Sequence, residues 1–425
     1  MLIHVVERGE TLFSIARRYG VSVERLRSDN ALAGDTVVVG QALLVSFPAE
    51  VYTVQRGDTL YALARRYGIS IWELLRNNPT LSLTSPLRPG EMLTVAFRGG
   101  KQRMIRVGGY AYPNIARTLL TATLPFLTYL WIFSYGFTEQ GSPVPIDDTA
   151  LVRLARSYDT VPLLVLTTIG TDGQFSAERA ELLLRNENLQ QTLLQNLLGI
   201  MREKGYGGLD VDFEYIPAAL KENYIAFLWR CGDLCRENGL LFTTVAAPKT
   251  FAAQPGLLYE AHDYPRLGAV ADRLFLMTYE WGYTYGPPMA VAPISQVRRV
   301  AEYAVTEVTP QKLLLGIPNY GYDWHLPYQP NTAARSIGNE QAVRIAAAHG
   351  AEIGFDENAA SPYFYYAENG QPHVVWFEDV RSIERKLNLV DALSLGGIGY
   401  WNLMRPFRQN WAFLAARYAV EKGQI

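Results

Sequence analysis

Cysteine is scarce in this chain, with two residues in 425. Cys231 and Cys235 stand four apart in FLWRCGDLCREN, on one face of a predicted helix. A disulfide within one helical turn would staple nothing, so both read as free, half-buried thiols and a disulfide framework is excluded. Histidine is also sparse: five residues, at 4, 262, 325, 349 and 373, none at metal-ligand spacing. No Gly-rich phosphate loop stands at a strand-to-helix turn. Neither metal nor cofactor is expected. Charge of one sign is not in excess, with 39 Lys and Arg against 41 Asp and Glu. That balance argues against a nucleic-acid partner, which normally meets a basic face. Residues 1–13 carry His4, Glu7, Arg8 and Glu10 around no apolar core, unlike a secretory signal. The one long uncharged stretch, Thr118 to Thr138, is interrupted by Pro125 and rich in Thr, Tyr and Ser. It reads as a helix end, a break, and a buried strand LTYLWIFSYGF, not as a membrane span. A chain with neither signal nor span is expected in the cytosol, or delivered by another route.

What the chain does have is apolar and aromatic bulk: 49% hydrophobic and 12% aromatic residues. Its length exceeds one ordinary domain and suits a barrel plus accessory modules. Aromatics and polar groups without a charge excess suit a neutral ligand, of which sugars are the obvious class.

The densest chemistry lies in GGLDVDFEY, residues 207–215. Asp210, Asp212 and Glu214 occupy every second position of an apolar run. Alternation across a strand puts all three carboxylates on one face. Such crowding pushes neighbouring pKa values apart and can keep one acid protonated near neutral pH. A solvated acidic edge strand would not usually interleave Leu209, Val211 and Phe213 with the acids. The pattern therefore reads as a general acid beside supporting carboxylates.

The first hundred residues contain a duplication. HVVERGETLFSIARRYGVSVERLRSDN (4–30) and YTVQRGDTLYALARRYGISIWELLRNN (52–78) align at a constant offset of 48. Each copy predicts strand, turn, helix, helix, strand, with Thr11 and Thr59 as helix caps. Leu12, Ile15 and Ala16 recur as Leu60, Leu63 and Ala64, the apolar stripe of the first helix. The pattern resembles the LysM module, a βααβ domain that binds N-acetylglucosamine polymers. The resemblance implies sugar contacts at Gly9, Glu10, Thr11, Leu12 and Asn30 in one copy. In the other it implies Gly57, Asp58, Thr59, Leu60, Asn78 and Pro79. The second copy has Asn78-Pro79 where the first has Asn30-Ala31, and is expected to bind better. A spacer role for the repeats is the alternative. The boundaries read as 1–48 and 50–97. The polar segment RGGKQR (98–103) predicts a flexible link between modules with separate cores.

From 104 to 425, eight apolar runs alternate with helical stretches such as 178–205. The runs are 104–112, 127–137, 161–170, 208–216, 240–248, 272–280, 312–322 and 396–403. Near-continuous apolar strands separated by helices describe a parallel sheet, and eight of them a closed (β/α)8 barrel. Residues 355–377 read as a small β-rich insertion between strands seven and eight. Barrel chemistry sits at the carboxyl ends of strands. Glu214 ends strand four; Tyr279 and Glu280 end strand six. Asn319 and Tyr320 end strand seven, Trp401 and Asn402 strand eight, and Tyr110 and Tyr112 strand one. Acids ringed by Tyr and Trp make a sugar cleft, although core packing explains many aromatics taken singly.

Residues 104–425 resemble glycoside hydrolase family 18, whose strand-four signature is D-x-x-D-x-D-x-E. Asp210, Asp212 and Glu214 match the last three positions, and Gly207 stands where the first Asp belongs. Met277, Thr278, Tyr279 and Glu280 match the strand-six segment with Glu for Asp, and Trp401 matches the strand-eight Trp. The resemblance implies a retaining, substrate-assisted β-N-acetylglucosaminidase. Glu214 would be the acid, with Asp212, Asp210 and Tyr279 catalytic beside it. Trp401, Glu280, Tyr110, Asn319, Tyr320 and Asn402 would bind substrate. With two LysM copies ahead, the chain looks like the spore-associated branch of that family. That branch cleaves cortex peptidoglycan, is made without a signal peptide and ends in the spore integument. Chitinase or N-glycan endo-β-N-acetylglucosaminidase activity, and a non-catalytic peptidoglycan-binding coat protein, are the alternatives.

Overall fold

A computed structural model describes residues 1–170 and 173–423 of the chain. The first module is a strand (Leu2–Val5), two helices (Leu12–Tyr19, Val23–Asp29) and a strand (Ala42–Val45). The second repeats this with Pro48–Thr53, Leu60–Tyr67, Ile71–Asn77 and Met92–Phe97. In each, the strands pair antiparallel. The first helices begin as the sequence predicts. Thr11 and Thr59 accept from the backbone N–H of Ser14 and Ala62, both at 3.1 Å, which satisfies an otherwise orphan donor. Both helices stop at a left-handed glycine, Gly20 and Gly68.

Eight parallel strands follow: Met104–Ala111, Tyr129–Tyr135, Val161–Thr167, Gly208–Asp212, Leu241–Ala246, Arg273–Leu276, Leu313–Pro318 and Gly397–Trp401. They are called strands one to eight. Each pairs with the next, and strand eight pairs with strand one, closing the barrel. Strand alternation sends one set of side chains inward and the other under the helices, so the runs are apolar throughout. The uncharged stretch resolves into a helix (Arg117–Thr123), a 3-10 turn (Leu124–Phe126) and strand two. Among the described residues, no helix is long and apolar enough to cross a membrane. The stretch 178–205 is two helices, Ala177–Leu184 and Glu187–Lys204, because the Asn186 side chain caps the second. Cys231 and Cys235 are free and fully buried on one helix (Lys221–Glu237).

Two expectations need correcting. The insertion is larger than 355–377: a five-stranded antiparallel sheet runs from Gly321 to Trp376 and carries a helix, Asn339–His349. The apolar run 312–322 hid this because it spans two strands of different sheets, strand seven ending at Pro318 and the next opening at Gly321.

The second module, moreover, has no core of its own, while the first keeps one around Leu12, Ile15, Leu26 and Leu43 and joins the barrel through Leu44. Leu44, Leu60, Trp72, Leu75 and Phe97 belong to the same apolar cluster as Phe126 and Trp411 of the barrel. Trp72 packs on Tyr158 with ring centroids 5.3 Å apart. Arg76 donates to the Pro125 carbonyl at 3.0 Å, and Gln409 donates to Asn30 Oδ1 and to the Ala42 carbonyl, both at 2.8 Å. The modules also touch each other, Arg25 donating to Thr94 Oγ1 at 2.9 Å. The polar linker is bonded down: Gln102 N–H donates to the Arg417 carbonyl at 2.8 Å, and Arg103 to Asp391 at 2.8 Å. Polar composition predicted slack, but Lys101, Gln102 and Arg103 each found a partner on the last two barrel helices.

Candidate active site

Strand four delivers the three acids to different depths. Asp210 lies inside the barrel, fully buried. The Tyr110 hydroxyl donates to its Oδ2 at 2.9 Å, and the Thr243 hydroxyl donates to Oδ1. Thr243 is itself held by the Trp131 indole N–H at 3.1 Å. Burial pushes the Asp210 carboxyl up to about 6, against the downward pull of those hydroxyls. Asp212 is one turn of the pleat higher, buried, and its Oδ1 has no protein partner. Burial, then the charges of Glu214 and Asp210, push its carboxyl well above the usual range. Burial thus biases both carboxyls toward their protonated forms, and the two titrate as a pair. Glu214 lies two residues beyond the end of strand four, half-buried in the cleft wall. Burial, then the charge of Glu280, push it up to about 7. An acid poised there is about half protonated at neutral pH and can readily give its proton up.

Glu280 is four residues beyond strand six, in a left-handed conformation with φ 68°. The hydroxyls of Tyr320 and Tyr322 both donate to its carboxylate, Tyr322 at 3.1 and 3.3 Å. Burial raises its pKa, and those hydroxyls oppose the rise. Tyr279 is admitted by a glycine: a Cβ at Gly316 of strand seven would stand 2.9 Å from its ring. Trp401 ends strand eight and packs edge-on against Phe133 at 5.0 Å and against Tyr112 at 6.2 Å.

Asp212, Glu214, Tyr279, Glu280, Trp401 and Tyr112 line one cleft of about 490 Å³. Tyr110 and Tyr320 sit behind this wall, bonded to Asp210 and Glu280. Asn319 is buried and donates to the carbonyls of Asn402 and Arg405, at 2.9 and 2.8 Å, while the Asn402 side chain accepts from Met404 N–H at 3.2 Å. These two asparagines tie strand seven to the turn after strand eight. Sequence reading passed over Phe133, Phe175, Tyr215, Tyr259, Trp281 and Tyr283, which also line the cleft. Position next to the acid or Glu280 could have flagged Tyr215, Trp281 and Tyr283; nothing in the pattern marks the others. At Gly207, a Cβ would meet Val161 Cγ1 at 2.4 Å. That position is at the entrance of strand four, away from the cleft, so no carboxylate there could reach the acids directly.

In the modules, several implied sugar contacts hold the modules together. Asn30 donates to Leu26 and Leu44 carbonyls and accepts from Leu44 N–H; Asn78 does the same with Leu74 and Thr94. Leu12 and Leu60 are buried. Glu10 binds His4 and Arg18, both at 2.7 Å, and Asp58 accepts from Tyr52 OH at 2.8 Å. Gly9 and Gly57 have positive φ and open space around them. Thr11 and Thr59 are caps, and Pro79 lines a groove of about 460 Å³ between both modules and the barrel.

A closed parallel barrel with paired acids and an aromatic cleft at its carboxyl end defines a glycoside hydrolase, and the chain belongs to the glycosyl hydrolases family 18, whose family model matches residues 150–405. Two LysM domains are matched at residues 4–46 and 52–96. The chain is similar, at 39% identity over 433 residues, to the cortical fragment-lytic enzyme of Bacillus subtilis (strain 168), with 99% of each chain covered. Among solved structures it is similar to the spore cortex-lytic enzyme SleL of Bacillus cereus, with TM-score 0.84, 36% identity and coverage of 100% and 99%. SleL of Bacillus megaterium QM B1551 matches with TM-score 0.83, 34% identity and coverage of 99% and 98%.

Proposed function

We propose that this chain is a retaining, substrate-assisted β-N-acetylglucosaminidase that cleaves peptidoglycan fragments of the spore cortex and acts in the spore integument. The observation that carries the mechanism is Asp212: buried beside Glu214, lining the cleft, with one carboxyl oxygen free of protein partners. Glu214 gives its proton to the glycosidic oxygen. The substrate's own 2-acetamido oxygen attacks C1 and closes an oxazolinium ion as the leaving sugar departs. Asp212 accepts the acetamido N–H and balances the positive charge, sharing a proton with Asp210. The Tyr279 hydroxyl holds the acetamido oxygen for attack, and Trp401 forms the floor under the sugar ring. Water then opens the ring from the same face, with the Glu214 carboxylate taking its proton, so configuration is retained.

Glycosidases usually use a second carboxylate as nucleophile or base, and substrate assistance is the exception. Glu280 is the other carboxylate in the cleft, but both Tyr320 and Tyr322 bind it, which suits a substrate contact better than a free nucleophile. The substrate class is supported by the relatives named above and by the two LysM modules, which we read as polysaccharide contacts. Chitin oligomers are the second reading, supported by the likeness to a chitinase of Chromobacterium violaceum at 25% identity. Digestion of purified cortex fragments, with the new reducing-end sugar read by mass spectrometry and the first anomer by proton NMR, tests both halves. A β-linked substrate is expected to release the β-anomer at an N-acetylglucosamine reducing end. An α-anomer first product rejects the mechanism, and cleavage of chitin oligomers alone rejects the substrate.

A further inference from the structure

Glu214 stands beyond the sheet that carries it. Pairing of strand four ends at Val211 opposite Thr244 on one side and at Asp212 opposite Thr167 on the other. The chain leaves the ladder at Phe213, and by Tyr215 it has turned to a φ of 56°. The Phe213–Glu214 peptide therefore needs a hold other than its neighbouring strands.

His262 supplies one. Its imidazole is 1% exposed and spans the ends of strands four and five. Nδ1 lies 2.8 Å from the backbone nitrogen of Ala247, and Nε2 lies 3.1 Å from the carbonyl oxygen of Phe213. The two partners dictate the tautomer. A backbone N–H only donates, so Nδ1 accepts and carries no proton; a carbonyl only accepts, so Nε2–H donates. Burial, reinforced by the charge of Lys249 and opposed by the bond to Phe213, lowers the imidazole to about 4. Tyr224 stacks on the ring at 6.0 Å, and Phe213 stacks on Tyr224. The same segment grips Ala247 a second time: the Tyr264 hydroxyl donates to its carbonyl at 2.6 Å. Lys249 Nζ donates in turn to the His262 carbonyl at 3.1 Å, and the intervening Pro248 lines the cleft with Glu214.

We propose that His262 is the positioning residue for Glu214: its neutral imidazole ties the Phe213–Glu214 peptide to the end of strand five and so fixes where the acid's carboxyl meets the glycosidic oxygen. This rests on the reading of Glu214 as proton donor. A general acid works only within hydrogen-bond reach of the atom it protonates, and a displacement of about 1 Å costs on the order of 10²-fold in rate. Sugar binding draws on the aromatic walls instead, so the effect falls on kcat and hardly on KM.

The test uses the full chain with soluble peptidoglycan fragments and a chromogenic N,N′-diacetylchitobioside. His262→Leu removes both bonds. His262→Gln keeps an acceptor and a donor on one planar group. His262→Leu is expected to lower kcat about 10–100-fold with KM within about twofold, and His262→Gln to recover most of it. A folded His262→Leu protein with wild-type kcat, or a His262→Gln protein as impaired as His262→Leu, overturns the proposal. If His262→Leu does not fold, nitrogen NMR of the wild-type imidazole decides. Protonation at Nε2 only, constant from pH 5 to pH 8, is expected; titration in that range or the other tautomer overturns it. Wild-type turnover by Glu214→Gln would instead remove the premise and leave the His262 bridge standing.

Discussion

The indole N–H of Trp72, in the second LysM module, donates to Asp159 Oδ2 of the barrel across 2.8 Å. Asp159 precedes strand three, so the bond fastens the module to the barrel pole opposite the cleft. Truncation of residues 1–98 would expose the apolar surface under Trp72, Leu75 and Phe97. The expected product is an aggregating or markedly less stable barrel, not a free catalytic domain. Trp72→Ala alone is expected to cost about 3–5 kcal/mol, as large aromatic deletions from a core do. Denaturant unfolding followed by circular dichroism checks both, and a truncated barrel with wild-type stability would refute the shared core.

Glu214→Gln is expected to lower turnover by about 10²–10⁴, the usual worth of a general acid. Affinity for insoluble peptidoglycan should persist, since the proton is given in the transition state. Turnover on soluble fragments and a pull-down on insoluble wall, measured together, separate the two effects.

The pH dependence has a definite sign. With Glu214 as the proton donor and its carboxyl pushed up to about 7 by burial, kcat/KM should fall above that pH, roughly tenfold per unit. Glu280 raises Glu214 by its negative charge. Glu280→Gln should therefore move the alkaline limb to lower pH, whatever it does to the plateau. An unmoved limb would show that the two carboxylates do not sense each other.

The same raised pKa carries a stability consequence. A carboxyl whose folded pKa lies above its unfolded value favours the fold below the unfolded pKa and loses that contribution as pH rises through the folded one. Glu214 goes from about 4.5 to about 7, so the ionised cleft destabilises the fold at alkaline pH. Glu214→Gln should accordingly raise the melting temperature at pH 8 relative to wild type by more than at pH 4. Melting curves at the two pH values decide this.

The acids were legible in the sequence because a two-residue period is a local rule, and strand four obeys it through Asp212. The repeat was legible for the same reason: its caps at Thr11 and Thr59 depend on neighbours three residues away. Contacts made across long separations were not. Nothing near Gln409 announces Asn30 as its partner, and nothing in LLLGIPNYGY marks the point where the chain changes sheets. The structural role of Asn30 and Asn78 was not legible either: each satisfies backbone groups of the closing strand, which come into view only once the module is folded.

Gly40 of the first module has a φ of +81°, and a Cβ there would stand 1.9 Å from the Ile353 carbonyl oxygen of the insertion. The adjacent Val39 carbonyl accepts from Ile353 N–H at 2.9 Å. With that seam at one end and Trp72 at the other, the modules are fastened to the catalytic domain at two separate places. A strand gripped by a module and cut by the cleft must bend to bridge them. Loose, short strands can do so; a taut, cross-linked sheet cannot. On the proposed function, the docked seam would favour material that has already been slackened.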